Sequence, residues 1–187
     1  MKYFSHLYHM THIENLSSIM KHGLLAHGNP YQAKDISDHE VNGRRSRMEP
    51  IYGRRIHEYV PFYFNPKNAM LYRRKAMQDA IVILVFGREL IDVDGAIFTD
   101  GNASSMNTRF SNNTDRLDQL DWACLRDWSW CNHQDGKRTR MAEVLVPHRV
   151  GMERLQKIIC NSYATYIELL NLNLEDIQIE IDGNFYF

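Results

Sequence analysis

Residues 80–86 constrain the fold more than any other part of the chain, because every one of them is apolar. A short run of this kind, rich in valine and isoleucine, predicts a strand that is buried on both faces. Such a strand lies inside a sheet whose two faces are both covered. Helical patterns elsewhere are short, so we expect an α+β fold. Further strands are predicted at 7–11, 59–64, 97–99, around Glu143, at 156–160 and at 177–181.

The first predicted strand runs directly into a short helix. Thr11 and Glu14 have the spacing of a capping box, and Gly23 ends the apolar stripe that follows them. His9 then lies at the end of a strand that faces a helix N-terminus, where backbone N–H groups favour anionic or carbonyl-bearing ligands. A core histidine beside a helix cap is the alternative. Later helices are predicted to begin at Asn65–Pro66 and to span 162–170.

The composition indicates one compact domain that spans residues 1–187. The chain is 44% hydrophobic and 24% charged, which is typical of a globular protein with a sizeable core. Its three cysteines form no disulfide framework, so we expect a reducing compartment, the cytoplasm. Cys124, Cys131 and His133 match no standard zinc spacing, and we expect no metal. No run approaches the roughly 18 apolar residues of a membrane span, so we expect no membrane contact. We also expect a monomer.

Two long stretches lack a regular apolar period. Residues 28–55 are rich in turn formers, and a loop of this length in a compact domain is usually functional, so we interpret it as a segment that covers a ligand. One short helix is predicted inside it, capped by Ser37 and Glu40. Arg44 and Arg45 lie at the end of that helix.

The second irregular stretch, residues 101–136, contains three tryptophans. We expect Trp122 to pack in a small core that belongs to the stretch itself. Trp128 and Trp130 either join that core or form a surface on which bases stack.

Glu143 is the single acid where a basic loop, residues 137–140, runs into a strand. Val144, Leu145 and Val146 favour a half-buried strand. A carboxylate in that position is paired or faces a cleft; an exposed glutamate at a strand edge is the alternative.

The net charge of −1 does not indicate a nucleic-acid-binding protein, but the basic residues are clustered. A local basic face for nucleic acid is one interpretation, and solvated surface charge is the other. The clusters are Arg44, Arg45 and Arg47; Arg54 and Arg55; Arg73, Arg74 and Lys75; and Lys137, Arg138 and Arg140.

Several ordered blocks together resemble the DarT family of DNA ADP-ribosyltransferase toxins, over nearly the whole chain. The resemblance implies an ADP-ribosyltransferase-like fold, a split mixed β-sheet flanked by short helices that holds NAD. It also implies transfer of ADP-ribose to a base of single-stranded DNA and a cognate macrodomain antitoxin as partner. The blocks are residues 8–16, 23–27, 59–66, 70–72, 98–100, 120–122 and 142–146.

The resemblance also implies site residues. Glu143 matches the catalytic glutamate, and Arg45 matches the essential arginine of the segment that covers NAD. The resemblance favours thymine as the target base. Guanine remains the alternative, because Val144 stands where an aromatic residue is common in the family and residues 100–137 are only loosely similar. The expected NAD contacts are His9, Met10, Thr11, Ser18, Leu25, Arg45, Tyr63 and Tyr72. The expected nucleic-acid contacts are Arg54, Arg55, Arg73, Arg74, Lys137, Arg138 and Arg140.

The chemistry of the transfer agrees with these roles. Cleavage of the nicotinamide–ribose bond passes through an oxocarbenium-like state, which a carboxylate such as Glu143 stabilises. An RNA 2′-phosphotransferase-like enzyme shares the NAD fold, but an Arg-His-Arg-Arg set replaces the acid there, so Glu143 argues against it. A noncatalytic module that binds NAD or nucleic acid is the other alternative.

Single alanine substitutions distinguish the arginines of the 28–55 segment. We expect Arg45→Ala to abolish modification of DNA. Arg54→Ala and Arg55→Ala should instead weaken DNA affinity in a salt-dependent way, as lost phosphate contacts do. DNA labelling with NAD and binding at two salt concentrations measure both effects. An active Arg45→Ala protein beside an inactive Arg55→Ala protein would show that the wrong arginine was chosen.

Overall fold

A computed structural model describes residues 3–36, 43–172, 174 and 176–187 of the chain. The short helix predicted from Ser37 and Glu40 begins outside these described residues. An eight-stranded sheet organises the molecule, and a two-stranded sheet lies beside it. The strands are β1 His6–His12, β2 Leu24–Leu25, β3 Tyr59–Tyr63, β4 Ile81–Gly87, β5 Ile97–Thr99, β6 Phe110–Ser111, β7 Glu143–Pro147, β8 Arg149–Val150, β9 Leu155–Cys160 and β10 Gln178–Ile181.

The large sheet has the order β10-β9-β4-β1-β3-β7-β5-β6. It is mixed, because β10 and β9 are parallel whereas the other pairs are antiparallel. The short α-helices are α1 Leu16–His22, α2 Ala69–Arg73, α3 Trp122–Arg126, α4 Gly136–Thr139 and α5 Tyr163–Leu170. The expected α+β fold, with a split mixed sheet and short flanking helices, is confirmed.

Strand β4 is buried along its whole length, as its apolar run predicted. Its side chains alternate between two cores: Val82, Leu84 and Phe86 enter one, and Ile81 and Ile83 enter the other. This alternation is the period-two geometry of a strand. Both faces of the sheet are therefore covered by apolar groups.

The sheet opens between β1 and β3. These strands share a single paired position, Tyr8 with Tyr63, whereas β1 pairs with β4 along its full length. Pro61, in the middle of β3, has no N–H to donate to a neighbouring strand. Its carbonyl oxygen lies 2.9 Å from Nδ1 of His9, while β3 stays paired with β7 at Pro61 and Leu145. The opening therefore exposes the ends of two strands to a common cavity.

Two helix starts differ from their prediction. A 3₁₀ turn, Ile13–Asn15, precedes α1, and the ring of His12 rather than the predicted capping box of Thr11 and Glu14 accepts a backbone N–H there. Helix α2 begins after Asn68, whose side chain accepts two backbone N–H groups, and not at Asn65–Pro66. The side chain of Asn65 accepts the N–H of Lys67 in the preceding turn, which postpones the helix.

The other end of α1 follows the prediction. Gly23 stops the helix with φ of 81°, a backbone conformation that favours glycine. A Cβ atom there would also lie 2.7 Å from the carbonyl oxygen of Val150.

The stretch 101–136 is more regular than expected, since it contains β6, α3 and the start of α4. Trp122 stacks on Tyr3 and Phe4 and meets the edge of Phe64. It therefore packs in a core as predicted, but its partners belong to the main core and not to the 101–136 stretch itself. Trp128 is 76% exposed. Among the described residues, no helix is both long enough and apolar enough to cross a membrane.

Candidate active site

A cavity of about 380 Å³ lies at the opening between β1 and β3. Residues of β1, α1, β2, β3 and the segment that contains Arg45 line it. Seven of the eight predicted NAD contacts are among the lining residues: His9, Met10, Thr11, Ser18, Leu25, Arg45 and Tyr63.

His9 presents a neutral ring to this cavity. Burial lowers its pKa, and the hydrogen bond to the Pro61 carbonyl opposes that effect only in part. Because a carbonyl oxygen only accepts, Nδ1 of His9 carries the proton of this bond. Nε2 is then an acceptor, suited to a hydroxyl group of a ribose.

Thr11 is oriented by Asn15, a residue that the sequence interpretation did not select. Asn15 is buried, and its side-chain amide donates to Thr11 Oγ1 at 3.0 Å and to the carbonyl of Lys34 at 2.7 Å. Its oxygen accepts the backbone N–H groups of Ala33 and Lys34. Asn15 thus ties the 28–55 segment to the end of β1. The available signal was a polar amide between Ile13 and Leu16 in an apolar stripe.

Glu143 is fully buried at the start of β7 and forms an ion pair with Arg45. Arg45 Nη1 is 3.1 Å from Oε1, and Nη2 is 3.2 Å from Oε2. The backbone N–H of Ala103 donates to Oε1 at 2.9 Å. The paired-carboxylate interpretation of Glu143 therefore holds, and the exposed strand-edge alternative does not.

The neighbours of Glu143 have shifted pKa values. Burial opposes the charge on Arg45, but the charge and hydrogen bonds of Glu143 outweigh it and raise the Arg45 pKa. Burial, followed by the negative charge of Glu143, raises the pKa of Tyr63, which lies opposite Glu143 in the β3–β7 pairing. The site therefore contains a guanidinium cation and a neutral phenol.

The predicted DNA-binding cations fall into separate groups. Arg73, Arg74 and Lys137 line the cavity. Arg55 is exposed beside a neighbouring hollow, and Arg54 lies over the ring of Tyr52. Arg138 is engaged by Asp100 and Asp135 at the edge of the 101–109 loop.

Arg140 contradicts its prediction as a DNA contact. It is 1% exposed, and its guanidinium donates to the backbone carbonyls of Cys124 at 3.0 Å, Lys67 at 3.2 Å and Asp127 at 2.6 Å. A phosphate has no access to a group enclosed in this way. Arg140 instead joins the 101–141 region to the turn before α2.

Tyr72 contradicts its prediction as an NAD contact. Its ring packs at right angles to Phe187 at 5.1 Å and to Trp130 at 6.0 Å, and it lies outside the set of residues that line the cavity. Trp130 therefore belongs to an aromatic cluster with Tyr72 and Phe187.

The cysteine region forms a polar network beside α3. Ligand-type atoms of Asp121, Cys124 and His133 lie within 4.8 Å of one another, whereas Cys131 is exposed and belongs to no such group among the described residues. Asp121 accepts the N–H of Cys124 at the start of α3, and His133 Nε2 is 2.7 Å from Asp127. These polar groups already have protein partners that brace the loop.

A split sheet with His9 and Thr11 at its opening, and with a buried glutamate at the start of a neighbouring strand, is the arrangement expected of an NAD-dependent ADP-ribosyltransferase. The model of the family described as "ssDNA thymidine ADP-ribosyltransferase, DarT" matches residues 8–187. The chain belongs to the DarT family and is an NAD-dependent DNA ADP-ribosyltransferase. Membership contradicts the two alternative classes, the RNA 2′-phosphotransferase-like enzyme and the noncatalytic module.

Two relatives and one solved structure are similar to this protein along most of its chain. A DNA ADP-ribosyl transferase of Thermus sp. (strain 2.9) is 30% identical over 179 residues, 89% of this chain and 86% of the relative. A DNA ADP-ribosyl transferase–DNA ADP-ribosyl glycohydrolase fusion protein of Thermosipho africanus is 28% identical, and the match covers 98% of this chain but 50% of the fusion. The structure of Thermus sp. 2.9 DarT in complex with ADP-ribosylated ssDNA superposes with a TM-score of 0.88 at 27% identity, covering 97% and 96% of the two chains.

The substitution Arg140→Ala tests whether the Arg140 guanidinium stabilises the fold. We expect the free energy of unfolding to fall by on the order of 3 kcal/mol, because buried carbonyls lose a charged donor. Urea denaturation measures the change. Lys137→Ala is the matched control and should leave stability almost unchanged. If Arg140→Ala instead kept its stability and showed a weaker salt dependence of DNA binding, Arg140 would be a DNA contact as first predicted.

Proposed function

We propose that this protein transfers ADP-ribose from NAD to thymine in single-stranded DNA, and that it acts as the toxin of a toxin–antitoxin pair. The observation that carries the proposal is the buried Glu143–Arg45 pair beside the cavity. The description of the family supports thymidine as the target. The fusion of a relative to a glycohydrolase supports a macrodomain antitoxin as partner.

Glu143 acts on the ribose of NAD. As the bond between C1′ and the nicotinamide nitrogen breaks, nicotinamide leaves and positive charge develops on the ribose. The carboxylate stabilises that charge. His9 and Thr11 orient the substrate from the end of β1, and fixed orientation supplies much of the rate of such transfers.

Arg45 changes its partner during the reaction. Three contacts from Arg45 and one from Ala103 match the roughly four acceptor positions of the Glu143 carboxylate. A ribose hydroxyl reaches that carboxylate when Arg45 gives up one of these acceptor positions. The N–H group released from Glu143 then faces the pyrophosphate and the incoming base. Because the guanidinium remains a cation, it stabilises thymine as N3 releases its proton to solvent and forms the bond to the C1′ that nicotinamide has left.

Single-stranded DNA suits this site because thymine N3 lies on the Watson–Crick edge and is engaged in a duplex. The exposed indole of Trp128 offers a face for a flanking base, and Lys67 Nζ lies 4.3 Å from the ring centre. Arg73, Arg74 and Lys137 at the cavity supply positive charge for phosphates. We further propose that the protein is a monomer and that it works in the cytoplasm. Its two buried free cysteines suit a reducing compartment of that kind.

Glu143→Gln tests the catalytic acid. We expect kcat to fall by about 100-fold or more, with NAD affinity largely retained, because the lost charge acts mainly on the transition state. Steady-state labelling of DNA and NAD binding without DNA give the two quantities. Glu153→Gln, at an exposed acid, is the matched control and should be fully active. Full activity of Glu143→Gln would remove Glu143 from the mechanism.

Two oligonucleotides of identical sequence, one free and one annealed to its complement, test the acceptor. We expect NAD-dependent labelling of the free strand and little labelling of the duplex, because extruding a paired base costs a few kcal/mol. Replacement of every thymine should abolish labelling. Equal labelling of both forms contradicts the strand preference, and labelling that follows guanine instead of thymine contradicts the base.

A further inference from the structure

We propose that Arg47 is a positioning residue for the catalytic acid, acting through the loop of residues 101–109; this rests on the proposed role of Glu143. Arg47 Nη2 donates to the carbonyls of Ala103 and Ser105, each at 2.7 Å. The N–H of the same Ala103 donates to Glu143 Oε1 at 2.9 Å. Arg47 therefore determines where the N–H that orients Glu143 lies.

The loop that carries Ala103 is stiff enough to transmit this restraint. Asn102 Oδ1 accepts the backbone N–H of Ser104 at 2.9 Å, and Thr108 Oγ1 donates to the Asn102 carbonyl at 2.7 Å. At the start of the loop, Asp100 is held by Arg138 at 2.8 Å. If the Ala103 carbonyl moves, the Ala103 N–H therefore moves with it, because these contacts keep the rest of the loop from adjusting.

The side chain of Arg47 is not needed to hold its own segment in place. The backbone carbonyls of Arg45 and Arg47 accept the N–H groups of His57 and Ile56. Residues 49–59 are closed by the buried carboxylate of Glu49, which accepts several backbone N–H groups of the following turn and the hydroxyl of Tyr59 at 3.0 Å. Removal of the Arg47 guanidinium therefore affects chiefly the 101–109 loop.

The guanidinium is the group that this position requires. One nitrogen contacts two carbonyls, the other terminal nitrogen contacts Met106 Sδ at 2.9 Å, and the group lies 5.7 Å from the centre of the Phe110 ring. A lysine ammonium is a point charge without this planar set of donors. Arg45 thus holds Glu143 directly, and Arg47, two positions further along the chain, holds it through Ala103. The segment that covers NAD and the orientation of Glu143 are coupled.

The experiment compares Arg47→Ala and Arg47→Lys with the wild type in DNA labelling and in NAD binding without DNA. We expect Arg47→Ala to lower kcat about 10- to 100-fold, as loss of a group that orients a reacting residue does, with NAD affinity unchanged. Added guanidinium ion should restore part of the kcat of Arg47→Ala and none in Glu143→Gln. Arg47→Lys should recover less than the rescued alanine variant. Arg109→Ala removes an exposed ion pair of the same loop with Asp100 and should keep wild-type kcat.

Two outcomes would overturn the proposal. An unchanged kcat of Arg47→Ala would show that Ala103 needs no such support, and a loss of NAD affinity equal to the loss of kcat would make Arg47 an anchor of the covering segment. If Arg47→Ala does not fold, Arg47→Lys decides by the same two quantities. Failure of the proposed function is distinct, because it appears as an inactive wild type or a fully active Glu143→Gln.

Discussion

The buried ion pair between Glu143 and Arg45 is the interaction on which the site depends. A fully buried carboxylate is costly unless its acceptor positions are filled, and here a guanidinium and one backbone N–H fill them. The covering segment and the sheet are thereby held together. In the proposed mechanism the same contacts are exchanged when NAD binds, so a structural restraint becomes part of the catalytic cycle.

The cavity exists because two central strands separate. Strands β1 and β3 share a single paired position, and the carbonyl of Pro61 in β3 orients the ring of His9 at the mouth of the gap. Asn15 then connects Thr11 on β1 to the covering segment. One strand end therefore presents the side chains of His9 and Thr11, two of the predicted NAD contacts, and Pro61 and Asn15 set their orientations.

Two polar frameworks surround this centre. Arg140, enclosed by three backbone carbonyls, joins the 101–141 region to the turn before α2. Arg47 holds the 101–109 loop against the covering segment. In both cases one arginine joins two separate parts of the chain, because its planar set of donors satisfies several carbonyls at once.

The sequence by itself determined the local features: the doubly buried strand β4, the end of α1 at Gly23, the irregular covering segment, and the motifs that identify the family. These depend on side-chain period and backbone conformation, which are properties of neighbouring residues. Tertiary structure alone decided which of the clustered cations are buried. Arg140 and Lys137 look alike in sequence, but the carbonyls that enclose Arg140 belong to Lys67, Cys124 and Asp127. For the same reason the sequence did not indicate that Tyr72 packs against Phe187 or that Asn15 binds the covering segment. The folded chain alone brings these partners together.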